Sequence, residues 1–178
     1  IAALAADPEA PFHLREAASL VVEVREYARQ VGLEAGETYT TFSDVGRDTL
    51  LLVLTASPKD CLCPVTWGYP IVGRMPYKGF FDPEAAIKAA REYRDRDYDV
   101  HLRPSAAFST LGWFNDPLLS TAVSADSVEL AALVFHEIGH NTVWVKGVTD
   151  FNESFAQWLG YRTAARFFLA RGDSALAL

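Results

Sequence analysis

A histidine–glutamate–histidine pattern in the last third of the chain carries the residues best suited to chemistry. His136 and His140 lie four positions apart, and Glu137 directly follows the first histidine. Residues at i and i+4 share one face of a helix, so both imidazoles can reach a single metal ion. Glu137 lies beside that face, where it can take a proton from metal-bound water. The pattern predicts one zinc ion and a water prepared for attack on a carbonyl group.

A catalytic zinc usually has three protein ligands and one open position, so a third ligand must come from elsewhere. Glu153 is the best candidate, because it lies in the first turn of the next predicted helix. Two antiparallel helices joined by a short loop would bring it back towards the histidines. The alternative is that Glu153 caps its helix together with Asp150, a role that only partly excludes the first. The other histidines, His13 and His101, both fit ordinary surface positions.

Helix start and stop signals place this chemistry on two consecutive helices. Asp126 and Glu129 form a capping pair that begins a helix running to about Val145. The following helix is predicted over about 151–170, and Gly172 ends it. The metal residues are therefore expected on a helical hairpin.

The earlier part of the chain predicts a helix followed by a strand-rich middle. Helices are predicted over 7–32 and 82–94, and strands over 49–56, 66–73, 98–103 and 106–111. This order indicates an α+β fold in which a small mixed sheet packs on helices. We expect a single domain over 1–178. The start at Ile1 and the abrupt end at Leu178 leave open a truncation at one or both ends.

Composition excludes two classes of partner. The chain has 178 residues and a net charge of −7, and its basic residues are scattered, which argues against a nucleic-acid surface. No apolar run approaches the eighteen or so residues that a membrane span needs, so no span is expected.

The two cysteines are predicted to be structural rather than metal-binding. Cys61 and Cys63 lie two positions apart, a spacing that we interpret as poor for a mutual disulfide. The favoured interpretation is two small residues in a loop or at a strand end, and the alternatives are a shared metal ion or an intermolecular disulfide. A purely structural zinc site is disfavoured, because such sites prefer four closed ligands and no further ligands lie nearby in sequence.

Three segments, 73–82, 109–120 and 135–156, resemble the bacterial predicted-aminopeptidase family of zinc metallopeptidases. The resemblance implies a zincin-like fold of gluzincin type, with an active-site helix followed by a glutamate-ligand helix. It also implies that His136, His140 and Glu153 hold the zinc, that Glu137 is the base, and that the protein belongs to the cell envelope or periplasm. One departure is Gln157, which stands where thermolysin-like enzymes often have an acid that orients a histidine.

Several supporting roles stay open at the level of sequence. Residues 106–111 are either a substrate-pairing edge strand or an internal strand or loop. Candidates for stabilising an oxyanion are His101, Tyr77, Tyr161 and Arg74. Candidates for holding a substrate α-ammonium group are Asp116, Asp150 and Glu129.

Two functional hypotheses follow. The first is a zinc-dependent hydrolase of peptide bonds, an aminopeptidase with endopeptidase action as a variant, in which Glu137 activates the zinc-bound water. The second is a non-catalytic structural or assembly subunit of an envelope or membrane complex that keeps the peptidase fold and pattern. The partners expected are a peptide substrate in the first case and a membrane complex in the second.

Overall fold

The computed structural model describes residues 1–46, 49–69, 73–105, 117–123 and 126–177. The chain forms two compact units, one built from Ile1–Val45 and Ser109–Leu178 and the other from Gly46–Phe108. We refer to them as the helical unit and the sheet unit. No described helix has both the length and the apolar character needed to cross a membrane.

The described residues form six α-helices, one short 3₁₀ helix and seven strands. The α-helices are α1 Ala2–Ala6, α2 Phe12–Gln30, α3 Pro83–Arg94, α4 Ser120–Val123, α5 Ser127–Thr142 and α6 Thr149–Arg171, and the 3₁₀ helix is Ser174–Leu176. The strands are β1 Phe42–Ser43, β2 Leu51–Pro58, β3 Trp67–Tyr69, β4 Gly73–Met75, β5 Lys78–Phe80, β6 Tyr98–Ser105 and β7 Leu118–Leu119.

The helical unit has a core formed mainly by α2, α5 and α6. Phe135 on α5 is fully buried and makes edge-to-face contacts with Tyr27 on α2 and Phe167 on α6. These aromatic side chains bury large apolar areas, and their edge-to-face geometry adds a modest attraction. The core thus fixes α5, the helix that carries both candidate histidine ligands, from two sides.

The sheet unit is built around the apolar strand β2. This strand lies between β5 and β6 in a three-stranded antiparallel sheet, with Leu54 opposite Leu102. Helix α3 packs on the sheet through Ala86 and Ala90, both buried. Asp82 caps α3 by accepting a hydrogen bond from the Glu84 amide at 3.0 Å.

A short parallel ladder joins two distant segments of the helical unit. Phe42 pairs with Leu118 and Ser43 pairs with Leu119. Two hydrogen bonds extend the contact, from the Leu118 amide to the Thr41 carbonyl and from the Val45 amide to the Ser120 hydroxyl. In the sequence, the segment Gly46–Phe108 of the sheet unit falls between these two strands.

The prediction of small sheets and helices is confirmed, with differences in detail. The strands form three separate small sheets in the described residues instead of one mixed sheet. The strand predicted over 66–73 is two short antiparallel strands, β3 and β4, and the helix predicted over 7–32 is α2, which begins at Phe12. The strand predicted over 106–111 lies outside the described residues. The single domain over 1–178 and the zincin-like assignment stay predictions.

The prediction that Cys61 and Cys63 do not bridge each other is wrong. The structure joins them in a disulfide, with Cα atoms 5.3 Å apart. The segment between β2 and β3 turns here, which brings the two Cα atoms within the usual range for a disulfide. Leu62 between them is fully exposed.

Candidate metal centre

Helix α5 presents its histidines from a strongly anchored scaffold. The Asp126 carboxylate caps the helix by accepting hydrogen bonds from the Val128 and Glu129 amides, each at 2.9 Å. Beyond this cap, the helix buries Phe135 and Ile138 completely in the core. Because these apolar residues hold one face of α5 inside, the neighbouring face is free to present side chains towards α6.

The connection from α5 to α6 is held by a buried asparagine. The Asn152 amide nitrogen donates to the Val145 carbonyl at 2.8 Å, and its oxygen accepts from the Val145 amide at 2.9 Å. Asn152 is 1% exposed, so these hydrogen bonds satisfy a polar group that has little access to water. They fix the first turn of α6, where the next residue is Glu153.

Two glycines allow α5 and α6 to approach closely. A Cβ atom on Gly160 would lie 2.6 Å from the Ala132 carbonyl oxygen and 3.3 Å from the His136 Cβ atom. A Cβ atom on Gly139 would lie 3.0 Å from a methyl group of Leu159. These pairs also show that the helices run antiparallel, since the early part of α5 faces the later part of α6.

This packing brings together the three residues proposed as ligands. The Nε2 atoms of His136 and His140 lie 3.1 Å apart. The Glu153 carboxylate oxygens lie 3.6 Å from the His136 Nε2 atom and 3.7 Å from the His140 Nε2 atom. Each of the three residues offers one ligand atom, and these three atoms lie within 4.8 Å of one another.

The spacing of these atoms fits a small tetrahedral cation. Zinc binds histidine nitrogen and carboxylate oxygen at about 2.0–2.2 Å, so two adjacent tetrahedral ligand atoms lie about 3.3 Å apart. The distances of 3.1, 3.6 and 3.7 Å bracket that value. Two histidines and one carboxylate are also a donor set that catalytic zinc uses.

The electrostatics of the three groups are mutually dependent. Burial, reinforced by the nearby His136, lowers the pKa of His140 to about 4, although the Glu153 charge opposes this. Burial also acts to lower the pKa of His136, but the nearby Glu153 carboxylate and the Glu137 charge outweigh burial and raise it. The nearby His136 imidazole lowers the pKa of Glu153 against the effect of burial. Glu153 is therefore held as a carboxylate facing two imidazoles.

Contacts from the rest of the helical unit hold the end of α5 that follows His140. Arg25, 5% exposed, donates to the carbonyls of Gly36 and Thr38. The Thr38 hydroxyl in turn accepts a hydrogen bond of 2.7 Å from the Asn141 side chain. A buried guanidinium thus fixes a loop, and that loop fixes the residue adjacent to a candidate ligand.

A groove begins at His136, one of the candidate metal ligands, and continues along the two helices. It has a volume of about 290 Å³ and is lined by Glu129, Ala132, Leu133, His136, Glu137, Gln157 and Tyr161. We refer to it as the α5–α6 groove. Glu137 is 8% exposed and lies at the metal end. At the other end, the Tyr161 hydroxyl donates to the Glu129 carboxylate at 3.1 Å.

Several sequence predictions have a definite outcome here. The capping pair of Asp150 with Glu153 is wrong, because α6 begins earlier, after Val148, and no side chain caps it. Among the described residues, no hydrogen bond joins Gln157 to a histidine, and His140 Nδ1 is buried without a partner. Of the oxyanion candidates, Tyr161 lies in the α5–α6 groove.

The other oxyanion candidates, His101, Tyr77 and Arg74, belong to the sheet unit. Asp116, a candidate for holding the substrate α-ammonium group, lies outside the described residues. Arg74 donates to the Thr66 hydroxyl at 2.9 Å, and the Tyr77 carbonyl accepts from the Tyr69 hydroxyl at 3.4 Å. Sequence reasoning missed Asn152 and Gly160, although an asparagine just before the candidate ligand Glu153 and a glycine inside a helix were available signals.

The fold and site define a mixed α and β protein with a candidate His–His–Glu metal centre on a helical hairpin. The chain belongs to the family described as "Putative aminopeptidase", which matches residues 1–177. This agrees with the family resemblance of its sequence. None of the curated proteins and none of the solved structures compared with the chain matches it.

Proposed function

We propose that this chain is a zinc-dependent metallopeptidase of gluzincin type, with a zincin-like fold, that acts as an aminopeptidase. The observation that carries the proposal is the convergence of three ligand atoms, from His136, His140 and Glu153, at distances suited to one zinc ion. Family membership supports the peptidase class. When bound, zinc supplies a Lewis acid that polarises a carbonyl group and makes water more acidic.

In this proposal Glu137 acts as the general base. Its carboxylate follows His136 on α5 and lines the groove that begins at the ligands. It takes a proton from the water that attacks the peptide carbonyl and later delivers that proton to the nitrogen of the leaving amine. The low exposure of Glu137 supports this role, because a carboxylate shielded from bulk solvent transfers a proton within the site.

The decisive experiment compares Glu137→Gln with the parent chain for zinc content and for hydrolysis of a pooled peptide library. We expect one zinc ion per chain in both proteins, and a loss of about 10²–10⁴-fold in the hydrolysis rate of the variant. Glu16→Gln, on the exposed side of α2, is the control and should cleave like the parent.

The outcomes separate the two hypotheses. Zinc binding with cleavage by the parent chain supports the peptidase, and new amino termini one residue into each peptide support aminopeptidase action. Zinc binding without any cleavage would refute the peptidase and favour the assembly subunit. Equal cleavage by the parent and Glu137→Gln would refute the assignment of the base.

We also propose a location in the cell envelope or periplasm, as the family resemblance implies. The Cys61–Cys63 disulfide supports it, since disulfides persist in oxidising compartments and are rare in the cytosol. Thiol labelling of the native protein in cell fractions tests this: labelled cysteines in a cytoplasmic fraction would contradict it.

A further inference from the structure

The α5–α6 groove extends well past the groups that perform the proposed hydrolysis. Its far end is Glu129, seven residues before His136 on the same helix. At a rise of 1.5 Å per residue, this places the two Cα atoms about 10 Å apart along the helix axis. Glu129 thus lies too far from the ligands to hold the α-ammonium group of a substrate whose first peptide bond is cut.

The lining of the groove changes from polar to apolar to acidic along that distance. His136 and Glu137 lie at one end, and Ala132 and Leu133 form the floor one turn further along. Glu129 then provides a carboxylate at the far end. An extended lysine side chain spans about 6 Å from Cα to Nζ, and arginine is slightly longer. An apolar stem with a cationic head matches this order of surfaces.

The acid at the far end is oriented and is available to a cation. Tyr161 donates to both Glu129 oxygens, at 3.1 and 3.4 Å, which leaves carboxylate acceptor positions for a second donor. The ion pairs of the described residues do not include Glu129. Asp126, the N-cap of α5, brings a second carboxylate to this end of the helix through its hydrogen bonds to the Val128 and Glu129 amides.

We propose that the α5–α6 groove is a subsite for a lysine or arginine side chain of the peptide residue next to the cleaved bond. In this subsite Ala132 and Leu133 contact the aliphatic stem, and Glu129 binds the cationic head. Tyr161 is a positioning residue that holds the Glu129 carboxylate. This proposal rests on the proposed peptidase function, because a subsite for the residue next to the cleaved bond requires that the chain cleaves peptides.

The first test compares peptides that differ only at the residue before the cleaved bond: lysine, norleucine or glutamate. Norleucine has the aliphatic stem of lysine without the charge. We expect kcat/KM for lysine to exceed that for norleucine by about fivefold, as suits a partly exposed ion pair, with glutamate lowest. Glu129→Gln should abolish the difference between lysine and norleucine, because it keeps the shape and the Tyr161 hydrogen bond but removes the charge.

Two further variants distinguish a subsite from a general effect. Glu16→Gln removes an equal charge from an exposed part of α2 and should keep the lysine preference. Tyr161→Phe should reduce the preference mainly through KM, because it releases the Glu129 carboxylate without removing its charge. The subsite is refuted if all peptides are cleaved with no preference for lysine, or if the preference survives in Glu129→Gln. Either result would still support the proposed peptidase function.

Equilibrium binding separates failure of the subsite from failure of the peptidase. Calorimetry with the same lysine and norleucine peptides on Glu137→Gln needs no turnover. If no peptide is cleaved by the parent chain, tighter binding of the lysine peptide that depends on Glu129 still supports the subsite. Equal binding of the two peptides overturns it.

Discussion

Replacing Gly160 by alanine tests the close approach of α5 and α6, on which the candidate metal centre depends. The new Cβ atom would lie 2.6 Å from the Ala132 carbonyl oxygen, which is 0.8 Å short of an ordinary contact at 3.4 Å. That oxygen belongs to the backbone of α5 and cannot move alone. Overpacking of this kind destabilises a protein by about 1–3 kcal/mol.

The intrinsic helix propensity of alanine offsets part of this effect. Alanine is favoured over glycine in a helix interior by about 1 kcal/mol. The net decrease in the free energy of unfolding is therefore at most about 2 kcal/mol, and the expected fall in Tm is at most about 8 °C for a chain of this size. Urea denaturation of the metal-free protein, followed by circular dichroism, measures the change without a contribution from bound ion.

Gly139→Ala is the matched control, because it makes the same substitution in the same helix pair. Its Cβ atom would lie 3.0 Å from a Leu159 methyl group, the end of a side chain that can shift. We expect little net change there. Zinc affinity should also fall in Gly160→Ala, whose Cβ atom would press on His136 at 3.3 Å. If Gly160→Ala is no less stable than Gly139→Ala, the packing argument is wrong.

Three further predictions concern the ligand, the cap and the core. Glu153→Ala should weaken zinc affinity at least tenfold, because losing even a residue that only supports a ligand typically weakens metal binding by about tenfold or more. A competitive zinc titration measures the affinity, and an unchanged value would show that Glu153 is not a ligand. Asp126→Ala should lower the free energy of unfolding by about 1 kcal/mol through loss of the α5 cap, whereas Asp126→Asn should keep most of it; equal loss in both would point to charge instead of capping. Phe135→Ala should lower the free energy of unfolding by about 3–5 kcal/mol in the same urea assay, and a loss below 1 kcal/mol would show that the site is not closely packed.

Local signals in the sequence predicted the helices that carry the site. Asp126 caps α5 as expected, and the four-residue spacing of His136 and His140 puts both rings on one face. The prediction that Glu153 returns to the histidines needed one non-local step, a short helical hairpin. Glu153 does lie near both histidines, because only six residues connect α5 to α6 and so short a connection favours an antiparallel pair of helices.

The features that sequence did not predict depend on contacts between distant residues or on backbone detail. The pairing of Phe42 with Leu118 joins two-residue strands that have no periodicity to detect. The Cys61–Cys63 disulfide depends on a local turn that spacing alone does not specify. The need for glycine at position 160 arises from a carbonyl on another helix, which no pattern within α6 reveals.

The parallel ladder of β1 with β7 also bears on how this family can vary. In the sequence, the whole sheet unit falls between the two strands of this ladder, β1 and β7. The entropy of closing such a segment depends only weakly on its length, with about 0.6 kcal/mol for each doubling. Natural selection can therefore lengthen, shorten or replace Gly46–Phe108 at little expense to the helical hairpin that carries His136, His140 and Glu153. We expect insertions in the loops of this segment outside 73–82 to be tolerated with little loss of stability in the hairpin.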